Sequence, residues 1–305
     1  MRKLIIYVLL ICFDSQIAFS LEPPENIPVR DFLNRVLEIR LKPIAFEMEF
    51  RIRKNVLEKD NTSEKDAYGT LVETSGIMRV DELAGISFVE STAKLLQSTS
   101  SDPKAEQNIK HDYKQFVAPG MRLILPDREY VCDPRVGRIV ERKKDTMLFV
   151  EVPLFDFRIF GWATDYNFKH GHSIEEVLSA LKVDLKPELN FAIGKDNVAT
   201  LDLGNEETRV DVDRGYWPID RKVWSSMNKE NRFVKESVRV GLVKFGDEWV
   251  PNRVDWKIEG KKSISEFGFD FKWISLNTTI DPDRMSLAYM IRRLAEGAKE
   301  EKKGK

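Results

Sequence analysis

The sequence predicts a mainly β (α+β) protein in which antiparallel strands are interrupted by a few helices. Three observations lead to this fold class. Apolar residues alternate at a spacing of two through much of the chain, turn signals separate the resulting strands, and helix signals are confined to short segments starting near residues 29, 173 and 282. With 305 residues, 42% of them hydrophobic, the chain can bury a large core.

The first twenty residues predict a cleaved signal peptide. Arg2 and Lys3 precede an apolar run over 4–13, and Ala18 and Ser20 supply the small residues of a cleavage site. The run is shorter than the roughly 20 residues that cross a bilayer, and an uncleaved membrane anchor is the alternative. We therefore expect a mature protein that resides in the periplasm or the extracellular space.

Charge and cysteine content argue against several classes of protein. Forty-nine Lys and Arg residues oppose 50 Asp and Glu residues, so the net charge of −1 provides no basic field for nucleic acid. The mature chain would keep one cysteine, Cys132, which cannot close an internal disulfide and is expected to be a buried apolar residue. A nucleophilic role and an intermolecular disulfide are the alternatives for this residue.

The amino-terminal third predicts one helix followed by strands. Residues 29–41 place apolar side chains at helical spacing, and Pro43 ends the helix. From residue 44 the spacing changes to two, which predicts a half-buried strand over 44–53 and further strand character over 69–80.

The polar face of the strand over 44–53 carries two acids and two bases. Glu47 and Glu49 share this face, as a pair of glycosidase acids would. Arg51 and Arg53 follow at the same spacing and can neutralise the acids. We therefore expect a solvated ladder of charges here and no catalytic pair.

The middle of the chain predicts a meander and a short helix. Residues 97–110 are rich in Ser, Asp, Lys and Gln and are expected to form a mobile insertion. Ser173 and Glu176 have the spacing of a capping box, which predicts a helix that ends near Leu181. Short strands separated by turn signals are predicted at 121–125, 129–132, 136–142 and 147–152.

The last third predicts hairpins. Residues 199–203 and 208–212 alternate on either side of Gly204 and Asn205, which is typical of a tight hairpin. Further strands are predicted over 238–242, 254–258 and 267–273.

The end of the chain predicts a helix over 282–295 and a charged, disordered tail over 299–305. No internal repeat or break in composition requires a second domain. The predicted organisation is a signal peptide over 1–20, one domain over 21–298 and the tail.

Three phrases in this succession of elements resemble the outer-membrane lipoprotein carrier (LolA-like) superfamily. They are Phe155-Asp156-Phe157-Arg158-Ile159-Phe160-Gly161, Val212-Asp213-Arg214-Gly215-Tyr216-Trp217-Pro218-Ile219 and Glu248-Trp249-Val250-Pro251-Asn252-Arg253-Val254. The resemblance covers most of 29–280 and would make the chain a divergent exported member. It implies a curved antiparallel half-barrel sheet that encloses or packs on a few helices, with an apolar cavity for lipid or the acyl chains of a lipoprotein. It implies no catalysis.

The apolar strand faces supply the candidate residues for such a cavity. Alternation at a spacing of two directs every second side chain of a strand to the same side. The aromatic residues of the last third leave three interpretations open, which are core packing, an apolar ligand surface and a sugar-binding platform; these residues are Tyr216, Trp217, Trp224, Trp249, Trp256 and Trp273. The candidates are Phe46, Met48, Phe50, Trp256, Phe267, Phe269, Phe271 and Trp273.

The expected function is that of an exported, non-enzymatic lipid or lipoprotein carrier or sensor. We expect a monomer that binds lipid or an acylated protein, with an envelope protein as a further partner, and without nucleic acid, metal or cofactor. The chain contains no Walker loop, no Gly-x-Gly-x-x-Gly and no Gly-x-Ser-x-Gly.

Two other functions stay open. One is a secreted metal-dependent hydrolase built on His170 and His172, which lie two residues apart, with Asp165 and His111 as further ligands. The other is an envelope interaction module that binds no small ligand.

Overall fold

A single antiparallel sheet of 14 strands dominates the structure. The computed structural model describes residues 26–42, 44–58, 68–99, 107, 120–133, 137–143, 155–163, 172–186, 189–226, 233–261 and 263–303. Its strands are β1 (Asn26–Pro28), β2 (Ala45–Glu58), β3 (Tyr68–Asp81), β4 (Ile86–Thr99), β5 (Gly120–Ile124), β6 (Arg128–Asp133), β7 (Arg138–Lys143), β8 (Asn190–Ile193), β9 (Val198–Asp202), β10 (Glu206–Asp211), β11 (Trp217–Trp224), β12 (Val234–Phe245), β13 (Glu248–Glu259) and β14 (Ser263–Leu276). Their spatial order is β1-β8-β9-β10-β11-β12-β13-β14-β2-β3-β4-β5-β6-β7. The predicted class, a mainly β protein with a curved antiparallel sheet, is confirmed.

Three α-helices accompany the sheet in the described part of the chain. They are α1 (Val29–Arg40), α2 (Ile174–Asp184) and α3 (Leu287–Lys303). The capping box that begins α2 is present, since the Ser173 hydroxyl accepts from the Glu176 amide and the Glu176 carboxylate accepts from the Ser173 amide.

The carboxy-terminal helix differs from its prediction at both ends. Residues Pro282–Met285 form a separate 3₁₀ turn, because the Ser286 hydroxyl accepts from the Tyr289 amide and starts a new helix. The helix then continues to Lys303, past residue 295 and through most of the predicted tail. Glu and Lys are good helix formers, which accounts for the extension.

The predicted hairpins are confirmed, with Thr208 opposite Leu201 in the first and Trp256 opposite Val238 in the second. Strand β4 runs to Thr99, so the first residues of the predicted insertion belong to the sheet. The signal peptide, the rest of that insertion apart from residue 107, and the predicted strand over 147–152 lie outside the described residues.

The sheet curls around one of its faces. The ring of Phe157 lies 5.2 Å from that of Phe46 on β2 and 6.1 Å from that of Trp217 on β11 (centroid distances). Four strand spacings separate β11 from β2, which is about 19 Å in a flat sheet. Because one ring reaches both strands, the face that carries Phe46 and Trp217 is the concave face.

Each face of the sheet carries its own helices. On the concave face, α1 and α2 cover β8, β9 and β10, with Phe32 stacked on Phe191 at 3.9 Å. On the convex face, α3 covers β4, β5 and β6 through a cluster that includes Phe88 and Met290. Cys132 is fully buried in this convex cluster, as predicted for an apolar cysteine.

The expected solvated ladder on β2 is wrong for Glu47. This side chain is buried under the 3₁₀ turn that precedes α3, and its carboxylate accepts from Arg79 at 3.0 Å and from Arg284 at 2.6 and 2.9 Å. The sequence pattern could not show that a distant segment returns to cover the polar face of β2.

The remaining members of the ladder pair across strands instead of along β2. Arg53 donates to Glu73 of β3, and Lys272 of β14 donates to Glu49. Cross-strand neighbours lie closer together than residues two apart on one strand, which favours these partners.

The Glu47 network gives a first prediction. Replacing Glu47 with Gln removes the charge that compensates two arginines, one of them buried, and should lower the free energy of unfolding by about 3–5 kcal/mol. The matched change Glu49→Gln removes an exposed partner of Lys272 and should cost less than about 1 kcal/mol. Urea denaturation at pH 7 measures both, and equal losses would contradict the burial of Glu47.

A second prediction concerns the close approach of β3 and β4. A Cβ atom at Gly76 would lie 2.1 Å from the carbonyl oxygen of Glu90, whereas a Cβ at Gly268 of β14 meets no atom within 4 Å. Gly76→Ala should therefore destabilise the protein by about 1–3 kcal/mol, because backbone has to move. Gly268→Ala should stay within about 0.5 kcal/mol. Thermal unfolding of the two variants tests the difference, and similar midpoints would argue against the close approach.

Candidate ligand-binding site

The eight predicted cavity residues share the concave face. On β2 and β14, Phe50 is opposite Phe271 and Met48 is opposite Trp273. On β13, Trp256 is opposite Phe267. Phe267 is partly buried and the other seven are buried. The structure thus brings all eight together, while their role in ligand binding stays a prediction.

A segment of the chain itself lies on this aromatic face. We call residues 155–163 the strap; they contain the 3₁₀ turn Phe157–Ile159. The ring of Phe160 lies 4.9 Å from that of Phe269, and the ring of Phe157 lies 4.8 Å from that of Trp273. In the described part of the chain the concave face is therefore filled by the strap rather than open.

In the sequence, the strap is apparent only as one of the three segments that resemble the LolA-like superfamily. Three phenylalanines within six residues, Phe155, Phe157 and Phe160, were the signal that could have placed it in the core.

Arg158 attaches the strap to one edge of the concave face. We call this edge the rim; it is formed by the turn between β3 and β4, the end of α1 and the turn before β11. Its guanidinium donates to Asp156 within the strap, to Glu82 in the turn between β3 and β4, and to the backbone carbonyl of Arg40 at the end of α1. Burial acts to lower the pKa of Arg158, but the carboxylates of Asp156 and Glu82 outweigh it and raise the pKa. Asp156 also accepts from the Ile174 amide and so joins the strap to the start of α2.

Arg221 fastens the other end of the strap from inside the concave face. This buried side chain of β11 donates to the Ala163 carbonyl at 3.0 Å, to Glu206 at 2.8 Å and to Glu236 at 3.2 Å. Burial again acts to lower the pKa of Arg221, and the two carboxylates outweigh it. Strand periodicity alone does not predict that Arg221, Glu206 and Glu236 all face the concave side.

Arg40 lies on the same rim as Arg158 but has no such compensation. Its guanidinium carbon lies 3.5 Å from the centroid of the Trp217 ring, and its Nη2 donates to the Gly215 carbonyl. Its Nε is shielded from solvent and has no hydrogen-bond partner among the described residues. No carboxylate among those residues forms an ion pair with the guanidinium of Arg40. The pKa of Arg40 is lowered to about 9, chiefly by burial. The negative charge of Glu248 acts to raise this pKa, the positive charge of Arg158 lowers it further, and the negative charge of Asp156 acts to raise it.

The metal hypothesis can be followed only in part. Of its four residues, His170, His111 and Asp165 lie outside the described residues, and His172 precedes α2. Within the described ranges, no group of three or more His, Cys, Asp or Glu side chains has the arrangement of a metal site.

A surface groove along the described strands has a volume of about 590 Å³. It is lined mainly by charged and polar side chains of β2, β3, β4 and β14, including Glu49, Arg51, Glu90 and Lys272. This lining does not suit an acyl chain, so the concave face stays the candidate site.

Comparisons with known proteins show a likeness only to solved structures. No protein-family model matches the sequence, and no curated protein matches it. A domain described as an outer membrane lipoprotein-sorting protein from Vibrio parahaemolyticus has 10% identity and a TM-score of 0.39, over 86% of this chain and 99% of its own. A DUF1329 family protein from Desulfovibrio piger has 7% identity and a TM-score of 0.31, over 86% of this chain and 97% of its own.

Lipovitellin, in a structure devoted to its lipid–protein interactions, has 8% identity and a TM-score of 0.25, over 79% of this chain and 26% of its own. Likeness at these levels assigns neither a family nor a function. Membership of the LolA-like superfamily therefore stays a prediction.

The strap gives a third prediction. Phe269 is fully buried beneath Phe160, so Phe269→Ala should cost about 3–5 kcal/mol in the free energy of unfolding through lost burial and a residual void. Phe233, which is 54% exposed, provides the matched control, and Phe233→Ala should cost less than about 1 kcal/mol. Guanidinium unfolding followed by tryptophan fluorescence measures both. A small loss at Phe269 would show that the strap leaves this face open in solution.

Proposed function

We propose that the protein is an exported, non-enzymatic binding protein that holds lipid, or the acyl chains of a lipoprotein, on the concave face of its sheet. One observation carries the proposal: side chains from β2, β11, β12, β13 and β14 form a continuous apolar surface, rich in aromatic rings, that is covered by a short strap rather than by a packed layer of strands. Surfaces of this kind accept flexible apolar ligands.

Exchange of the strap for an acyl chain is energetically reasonable. Withdrawing the five large apolar side chains of the strap, the three phenylalanines with Ile159 and Trp162, costs about 8–15 kcal/mol. Burying about 14 methylenes of an acyl chain returns about 11 kcal/mol, which is of similar size. The strap is held at both ends by polar contacts, from its Arg158 to Glu82 and from Arg221 to its Ala163 carbonyl, and water can replace both. A guest can therefore compete with the strap without disrupting the sheet.

The proposed location is the periplasm or the extracellular space, which follows from the predicted signal peptide. None of the helices in the described part of the chain is both long enough and apolar enough to cross a membrane. The partners we propose are lipid or an acylated protein, and an envelope protein that delivers or receives it.

A second candidate function is an envelope interaction module without a small ligand. The specific observation in its favour is the strap itself, since Phe155, Phe157 and Phe160 already fill the aromatic face. The two functions differ in whether the strap yields to an acyl chain.

A fourth prediction separates these two functions. Glu82→Gln weakens the contact between the sheet and Arg158, and should strengthen binding of a fluorescent fatty acid about five- to tenfold, because the filled state loses roughly 1 kcal/mol or slightly more. The control Glu73→Gln changes an ion pair with Arg53 far from the strap and should leave affinity unchanged.

Native mass spectrometry of the protein purified from its host adds a direct test, in which bound acyl lipid is the expected finding. Absence of lipid there, together with no fatty-acid binding by wild type or Glu82→Gln, would refute the carrier and leave the interaction module.

A further inference from the structure

We infer that Arg40 and the ring of Trp217 form a binding site for the oxyanion headgroup, carboxylate or phosphate, of an amphiphile whose chain lies on the concave face. This inference rests on the proposed function, and it specifies the ligand class as anionic amphiphiles. Among the described residues no carboxylate forms an ion pair with Arg40, and the charges of Glu248 and Asp156 act on it only from a longer distance.

Arg40 differs from the neighbouring arginines in its ion pairs. Two arginines near Arg40 form ion pairs: Arg158 of the strap with Glu82 and Asp156, and Arg214 in the turn before β11 with Asp211. Arg40 alone of the three has only a backbone carbonyl, that of Gly215, as a hydrogen-bond acceptor. A partly buried guanidinium without an anion is costly, and an incoming oxyanion removes that cost with charge-assisted hydrogen bonds.

Arg40 also has a defined position relative to the apolar face. Its guanidinium stacks on Trp217, and Trp217 belongs to the same buried cluster as Phe46 and Trp273 of the sheet. The cation therefore stands where the aromatic surface meets the rim. An amphiphile with its headgroup at Arg40 would extend its chain directly along that surface.

Arg40 and Trp217 are positioned by elements outside the strap, although the strap contacts both of them through Arg158 and Phe157. Arg40 belongs to α1, while Gly215 and Trp217 belong to the turn and strand at the start of β11. These elements are held by the sheet and by the cluster of α1 with α2, so Arg40 and Trp217 stay together when an acyl chain replaces the strap.

The test compares three ligands on the purified protein by isothermal titration: laurate, dodecyl maltoside, which has the same chain length and a neutral headgroup, and inorganic phosphate. Arg40→Met should weaken laurate binding by roughly tenfold or more, and leave dodecyl maltoside binding unchanged. Arg40→Lys, which keeps the charge without the planar fork, should give an intermediate loss.

Arg214→Met is the matched control, because Arg214 also lies over a tryptophan, Trp249 at 5.0 Å, but is paired with Asp211. It should change the affinity for neither amphiphile. Thermal unfolding of each variant shows whether the fold is kept.

Three outcomes would overturn the inference. Laurate affinity unchanged in both Arg40 variants would exclude a headgroup contact, and an equal loss for laurate and dodecyl maltoside would assign Arg40 a packing role. Phosphate binding that depends on Arg40 without laurate binding would make a free oxyanion the ligand. Amphiphile binding that ignores Arg40 leaves the proposed function standing, whereas no binding of either amphiphile to wild type rejects that function itself.

Discussion

The structure depends on how the concave face of a curved sheet is filled. Curvature brings side chains of β2 and β11 within reach of one phenylalanine, Phe157, although four strand spacings separate the two strands. A surface of this curvature has to be covered by side chains, helices or a guest, since an empty apolar hollow forfeits the contacts that stabilise a core. At one end α1 and α2 provide the cover, and at the centre the strap does.

Three arginines on the concave side and its rim are compensated to different degrees. Arg158 and Arg221 each hold the strap, and each forms ion pairs with two carboxylates. The charges of both arginines are therefore compensated within the protein. Arg40 is the exception, with a pKa lowered to about 9 by its burial. Arg158 and Arg221 thus form ion pairs, while the guanidinium of Arg40 beside the strap has no ion pair among the described residues. That asymmetry suits a site in which the covering segment and an anionic ligand bind at neighbouring positions.

The convex face shows the opposite arrangement, in which a helix covers charged as well as apolar strand residues. The 3₁₀ turn before α3 brings Arg284 onto Glu47, which also accepts from Arg79. One carboxylate then serves two arginines beside the cluster that contains Phe88 and Met290. This network ties the carboxy-terminal helix to β2 and β3 on the face of the sheet opposite to the aromatic one.

The sequence by itself determined the elements with strong local patterns. The alternation of Phe46, Met48 and Phe50 fixed which face of β2 is apolar, and Ser173 with Glu176 fixed the start of α2, because strand periodicity and helix capping act between residues close in sequence. The tertiary structure alone decided that Glu47 is buried, that the strap fills the concave face and that Arg40 has no ion pair among the described residues. Each of these depends on segments that are distant in sequence, such as β2 with the turn before α3, and the pattern of a single strand carries no information about what packs upon it.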